Sequence, residues 1–142
     1  MRSLLDVNVL IALLDPDHSL HRPAIDWFRS HALEGWASCP LTQNGCLRIM
    51  SQPAYPHAIP VAAVAERLAT ATATELHEFW PDDLSLLDPA VADTTRLHGP
   101  RQVTDCYLLA LAVKHDGCFA TFHAGVVPDA VRGAGDRHLL RL

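Results

Sequence analysis

Short apolar runs alternate along this chain with longer segments of helical spacing, and that alternation leaves few folds open. Ser3-Leu4-Leu5 stops at Asp6, Trp36-Ala-Ser-Cys39 follows Gly35, Leu84-Ser-Leu-Leu87 stops at Asp88-Pro89, and Cys118 to Phe122 follows Gly117. Each reads as a short buried strand, and His138 to Leu142 reads as a fifth. The intervening segments have apolar residues three and four apart. Val9 to Leu14 suits a short helix, and Leu20, Ala24, Trp27, Phe28 and Ala32 give one apolar face to a helix from about Ser19 to Glu34. Pro40 opens a helix that Ser51-Gln-Pro53 stops, and Ala54 to Ile59 is a loop. Pro60 to about His77 and Pro89 to Leu97 read as further helices. Thr104 stands where an N-cap belongs, ahead of a helix from Cys106 to His115. Strands separated by helices in this way specify a parallel sheet covered on both faces.

The length of 142 residues allows one such domain, and no repeat or low-complexity tract divides it. Apolar runs such as Tyr107 to Val113 fall far short of the roughly 20 residues of a membrane span. Asp6 interrupts the stretch where a secretory signal would still be apolar, so the expected location is the cytoplasm, with no membrane association. The four cysteines, Cys39, Cys46, Cys106 and Cys118, form no C-x-x-C pair and are expected as reduced, partly buried thiols. Sixteen acids against eleven Lys and Arg give a net charge of −5, which excludes a broad basic surface for coating nucleic acid.

In parallel α/β folds ligands sit beyond the carboxyl ends of the strands, which directs attention to Asp6, the segment Thr42 to Arg48, Asp88 and His123. Asp105 joins them because it opens the late helix. Asp6 alone reads equally well as a helix cap, and Asp105 as an acid favoured by a helix N-terminus. Together they make a site for Mg²⁺ or Mn²⁺, cations that prefer oxygen ligands and that assist phosphodiester hydrolysis. His18 and His21 belong to the turn and start of the long helix. Asp88 suits a cap ahead of Pro89.

Leu4-Leu-Asp-Val-Asn-Val-Leu-Ile11 resembles the opening of PIN domains, and Gln102-Val-Thr-Asp-Cys-Tyr-Leu-Leu-Ala-Leu-Ala112 with Phe119-Ala-Thr-Phe122 resembles their C-terminal half. The likeness extends to His18-Ser-Leu-His21 and Thr42 to Arg48, and it is greatest to VapC-type toxins of toxin-antitoxin pairs. It implies a three-layer α/β/α sandwich with a mainly parallel sheet of four or five strands, formed by residues 1–142 as one PIN domain. It further implies a metal-dependent endoribonuclease, a homodimer, and inhibition by a VapB-type antitoxin. Asp6 and Asp105 match two acids of the family's site. Two positions depart from it: Gln43, Asn44 and Gly45 stand where the family has a glutamate, and His123 stands where it has an aspartate.

The expected catalytic set is therefore Asp6, Asp105 and Asn44, with Asp6, Asp105 and His123 as ligands of Mg²⁺ or Mn²⁺. Asn8 and Thr121 are expected to hold Asp6 and water from behind. With anionic ligands reduced from four to two, Mg²⁺ should bind more weakly than in a four-acid relative, and the imidazole should favour Mn²⁺. A module that binds RNA or antitoxin without efficient cleavage is the alternative. A phosphatase of the haloacid-dehalogenase type needs a second acid two residues after Asp6, where Asn8 cannot act as a general acid. Arg48, Arg101, Arg132, Arg137 and Arg141 are candidates for phosphate contacts. Trp27, Phe28 and Trp80 offer apolar surface to core or interface.

Overall fold

A computed structural model describes residues 1–142. Five strands form one sheet: β1 (Ser3–Leu5), β2 (Trp36–Ser38), β3 (His77–Phe79), β4 (Cys118–Thr121) and β5 (Leu139–Arg141). They lie in the order β3-β2-β1-β4-β5, and all four pairings are parallel. Leu4 stands opposite Ala37 on one side and Phe119 on the other.

Side-chain alternation along these short strands makes the three layers. Leu4, Ala37, Phe119 and Leu139 point to one face and join a core with Leu108, Leu109 and Leu111 of α5 (Val103–Lys114). Leu5, Trp36 and Ala120 point to the other face. There they meet α1 (Val7–Leu14), α3 (Pro40–Met50) and α4 (Val61–Thr72), with α2 (His21–His31) packed against α1. At Gly45 a Cβ would lie 2.6 Å from Val7 Cγ2, so the glycine lets α3 approach the start of α1.

The three-layer α/β/α architecture agrees with the sequence reading; several elements do not. The third strand is His77–Phe79, not Leu84 to Leu87, and the α4 helix stops at Thr72. β3 is a half-exposed edge strand, so nothing demanded an apolar run there. Leu84 and Leu86 pack on the α5-side core from an irregular segment, which explains why they looked strand-like. Pro89 to Leu97 is no α-helix. It forms turns stapled by Asp88, whose carboxylate accepts from Ala90 N at 2.9 Å, followed by a 3₁₀ turn at Thr94–Arg96. The long second helix begins at His21, and its final turn, Ala32–Glu34, is 3₁₀.

Thr104 is not the N-cap of α5, because a 3₁₀ turn at Pro100–Gln102 runs directly into the helix and carries its start back to Val103. Trp80 is a core residue stacked on His115 at 4.3 Å, whereas Trp27 and Phe28 are partly buried on the α1–α4 side. All four cysteines are free and buried, and burial pushes the Cys46 thiol up to about 12. No helix is long and apolar enough to cross a membrane.

Candidate active site

The chain leaves β1 toward β2 on one side and reaches β4 on the other, so the β1/β4 junction is the sheet's topological switch point. Asp6 follows β1, and Thr121 ends β4 with His123 two residues on. Asp105 arrives from the first turn of α5. One oxygen or nitrogen from each of Asp6, Asp105 and His123 lies within 4.8 Å of the others.

Asp6 serves two purposes with its two carboxylate oxygens. Oδ1 accepts from Val7 N at 2.7 Å, making Asp6 the N-cap of α1, and Oδ2 accepts from the Thr121 hydroxyl at 2.7 Å. The capping and site readings of this residue are thus both realised. Thr121, fully buried, also accepts from His123 N at 3.0 Å, so one hydroxyl fixes an acid and the loop carrying the imidazole. Replacing it with the similarly shaped valine would leave Asp6 Oδ2 short of a donor. If the cluster holds a metal ion, Thr121→Val should lower turnover by about 10–100-fold, the usual cost of losing a group that orients a metal ligand, with the kinetics at fixed metal concentration as the check.

His123 Nδ1 lies 3.1 Å from Asp105 Oδ2 and 4.0 Å from Asp6 Oδ2. Its Nε2 is 3.3 Å from Asn8 Nδ2. Without an ion, Nδ1–H donates to Asp105 and Nε2 accepts from the Asn8 amide; for Nδ1 to ligate an ion the ring proton would sit on Nε2 and Asn8 would turn its Oδ1 to accept it. Asn8 therefore touches the imidazole, not Asp6 as the sequence suggested. Burial raises the Asp6 carboxyl above its ordinary range, and the Asp105 charge adds to this, while the Thr121 and Val7 donors work against it. Both acids are buried, and no Lys or Arg pairs with either. Two buried carboxylates compensated only by an imidazole form an oxygen-rich, electron-rich donor set, which fits a divalent cation.

The opposite wall of the cleft is one face of α3. Leu41, Asn44, Gly45, Arg48 and Ile49 recur at helical spacing and line it. Asn44 is exposed on this wall, outside the acid cluster. Gln43 falls off the face, and its amide donates to Ser38 Oγ instead. Arg48 and Arg101 line the cleft, whereas Arg132 and Arg137 are drawn into ion pairs and Arg141 donates to Val126 O. His18 Nδ1 accepts from Leu20 N just ahead of α2, His21 Nδ1 bonds Ala12 O of α1, and neither histidine lines the cleft.

Two contributors were hidden from the sequence. Thr104 lines the cleft because it sits in the α5 first turn beside Asp105. Asp82 joins α3 to α5, accepting from Leu41 N at 2.9 Å and from the Tyr107 hydroxyl at 2.9 Å. Nothing local marks Asp82, whose partners lie 41 and 25 residues away.

A parallel α/β/α sandwich with buried acids gathered at its switch point is the arrangement that the resemblance to PIN domains implied. No family model matches the sequence. Ribonuclease VapC44 of Mycobacterium tuberculosis is 55% identical over 142 residues, covering the whole of both chains. Ribonuclease VapC39 of the same organism is 40% identical over 134 residues, covering 94% of this chain and 96% of the relative. Among solved structures, VapBC2 from Rickettsia felis bound to a promoter DNA fragment matches with a TM-score of 0.62 at 10% identity, over 100% and 99% of the two chains. FitAcB from Neisseria gonorrhoeae matches with a TM-score of 0.61 at 22% identity, over 87% and 88%. The chain belongs to the VapC ribonuclease family.

Proposed function

We propose that residues 1–142 form a single PIN domain acting as the toxin of a toxin-antitoxin pair, an endoribonuclease that hydrolyses phosphodiester bonds of structured RNA with Mg²⁺ or Mn²⁺. The observation that carries the reading is the convergence of Asp6, Asp105 and His123 within 4.8 Å at the switch point of a chain 55% identical to a named ribonuclease. Asp6, Asp105 and His123 would hold the ion. A divalent ion so held supplies Lewis acidity toward the phosphodiester and makes water a stronger nucleophile near neutral pH.

The protein's own groups supply position. Thr121 holds Asp6, Asn8 holds His123, and Asn44 faces them across the cleft with an amide able to orient water. Of the two proposed carboxylate ligands, each is anchored on a separate element end, so the spacing between them is fixed by the sheet and α5 and not by a flexible loop. Having one imidazole in place of a carboxylate, the site should favour Mn²⁺ over Mg²⁺. Family membership also supports a VapB-type antitoxin partner, a homodimer and a cytoplasmic setting. It favours an enzyme over a binding-only module.

The test is direct. Purified protein with Mn²⁺ should cleave structured RNA, and expression should arrest growth until the neighbouring antitoxin gene is co-expressed. A preparation that binds RNA yet cleaves none with either ion would sink the enzymatic reading and leave the binding module.

A further inference from the structure

We infer that Arg48 and Arg101 form a two-sided phosphate clamp that seats an RNA backbone across the acid cluster, gripping the chain without reading its bases. The inference rests on the proposed ribonuclease reading and adds to it the groups that position the substrate.

Of the ten arginines, five are held in ion pairs: Arg2, Arg22, Arg96, Arg132 and Arg137. Arg48 and Arg101 have no carboxylate partner, and both line the cleft that contains Asp6, Asp105 and His123. They come from different elements. Arg48 projects from α3, one turn beyond Asn44 on the same face, and Arg101 from the 3₁₀ turn that leads into α5. Each exposed guanidinium is thus carried by a braced backbone. The α3 platform is seated on α1 through the close approach at Gly45. The Arg101 turn is tied down by Gln102, whose Oε1 accepts from His98 N at 2.7 Å and whose Nε2 donates to Gly125 O at 3.4 Å.

Charge favours a phosphodiester as the occupant. In a protein of net charge −5, two unpaired guanidinia line a cleft that holds two buried carboxylates, which a polyanion must approach. A guanidinium binds phosphate oxygens through paired N–H donors, which fixes a strand's position as well as attracting it. Phosphate contacts position nucleic acid but carry no sequence information. The rest of the lining is aliphatic or small and polar apart from His123, the cleft's one aromatic ring, whose nitrogens are engaged by Asp105 and Asn8, and it offers no Phe, Tyr or Trp platform for a base. Selection among RNAs then falls to the shape of the strand that enters the cleft.

The experiment separates grip from chemistry. Binding of a fluorescent mixed-sequence RNA is measured on an Asp105→Asn background with Mg²⁺ present, alone and with Arg48→Gln or Arg101→Gln. Each glutamine variant should weaken binding roughly tenfold, as expected for one charge-assisted contact. Each should also reduce the slope of log K against log salt by about 0.7. Arg48→Lys should keep the slope while recovering only part of the affinity. On the wild-type background the glutamine variants should raise KM by a similar factor, with kcat little changed and different RNA sequences affected alike. Unchanged affinity and salt slope in both variants would overturn the clamp, as would losses confined to one RNA sequence. Failure of the ribonuclease reading itself looks different: no cleavage by the wild type, with the binding measurements still informative.

Discussion

Asp6→Asn and Asp105→Asn should each reduce RNA cleavage by about 10³-fold or more, since a metal-assisted site loses several kcal/mol of transition-state stabilisation with a ligand. Growth arrest should vanish with it. The two variants should nonetheless fold. Asparagine caps helices about as well as aspartate, so Asp6→Asn keeps the bond to Val7 N that starts α1. The substitution also removes a buried charge that folding does not favour. A carboxyl whose folded pKa is raised binds its proton more tightly folded than unfolded, so ionised Asp6 opposes folding above that raised value, and the opposition disappears below its unfolded value. In metal-free buffer near neutrality the Tm of Asp6→Asn should therefore match or exceed that of the parent. Its stabilisation by added Mn²⁺ should be lost. A parent-like rate in either variant refutes the site, and a fall in metal-free Tm refutes the electrostatic account of Asp6.

The second large effect is expected at His123. His123→Asp would replace the proposed nitrogen ligand with a third carboxylate beside Asp105, at a position now 3.1 Å from its oxygen. Mg²⁺ prefers anionic oxygen, so the Mg²⁺ concentration giving half-maximal cleavage should fall roughly tenfold, and the advantage of Mn²⁺ should narrow. The same change gathers three like charges with no cation between them. In chelator the variant should melt below the parent, and saturating Mg²⁺ should raise its Tm by more than it raises the parent's. Calorimetry with and without the ion, read beside the cleavage titration, checks both halves. Equal Mg²⁺ requirement in parent and variant would show that His123 does not stand in the ligand set.

His123→Asp and the Asp variants test different layers of what the sequence made visible. β1, β2 and β4 announce themselves because buried parallel strands must be apolar on both faces, as Leu4 and Leu5 are, and β5, an edge strand, shows through Leu139 and Leu140. β3 does not, because an edge strand is half solvated and His77-Glu-Phe79 satisfies it with polar residues. The stretch from Leu84 to Leu97 misled for the complementary reason. Apolar residues are required wherever a segment covers the core, whatever its backbone does, and Leu84 and Leu86 cover it from an irregular loop.

In the site, residue order alone marks Asp6 and the Thr121-Phe122-His123 corner at the ends of strands and Asp105 at the head of α5. It does so because chain order and parallel connection fix where carboxyl ends must gather. Tertiary structure alone decided which of these groups touch. Only packing could show that Thr121 serves Asp6 and His123 together, that Asn8 turns to the imidazole, and that Gln43 leaves the cleft while Asn44 and Arg48 stay. Asp82 is the plainest case, stapling α3 to α5 through partners 41 and 25 residues away. Local pattern records the environment a residue needs, buried or wet, helical or extended. The identity of its partner depends on angles and distances between elements, which exist only once the layers have closed.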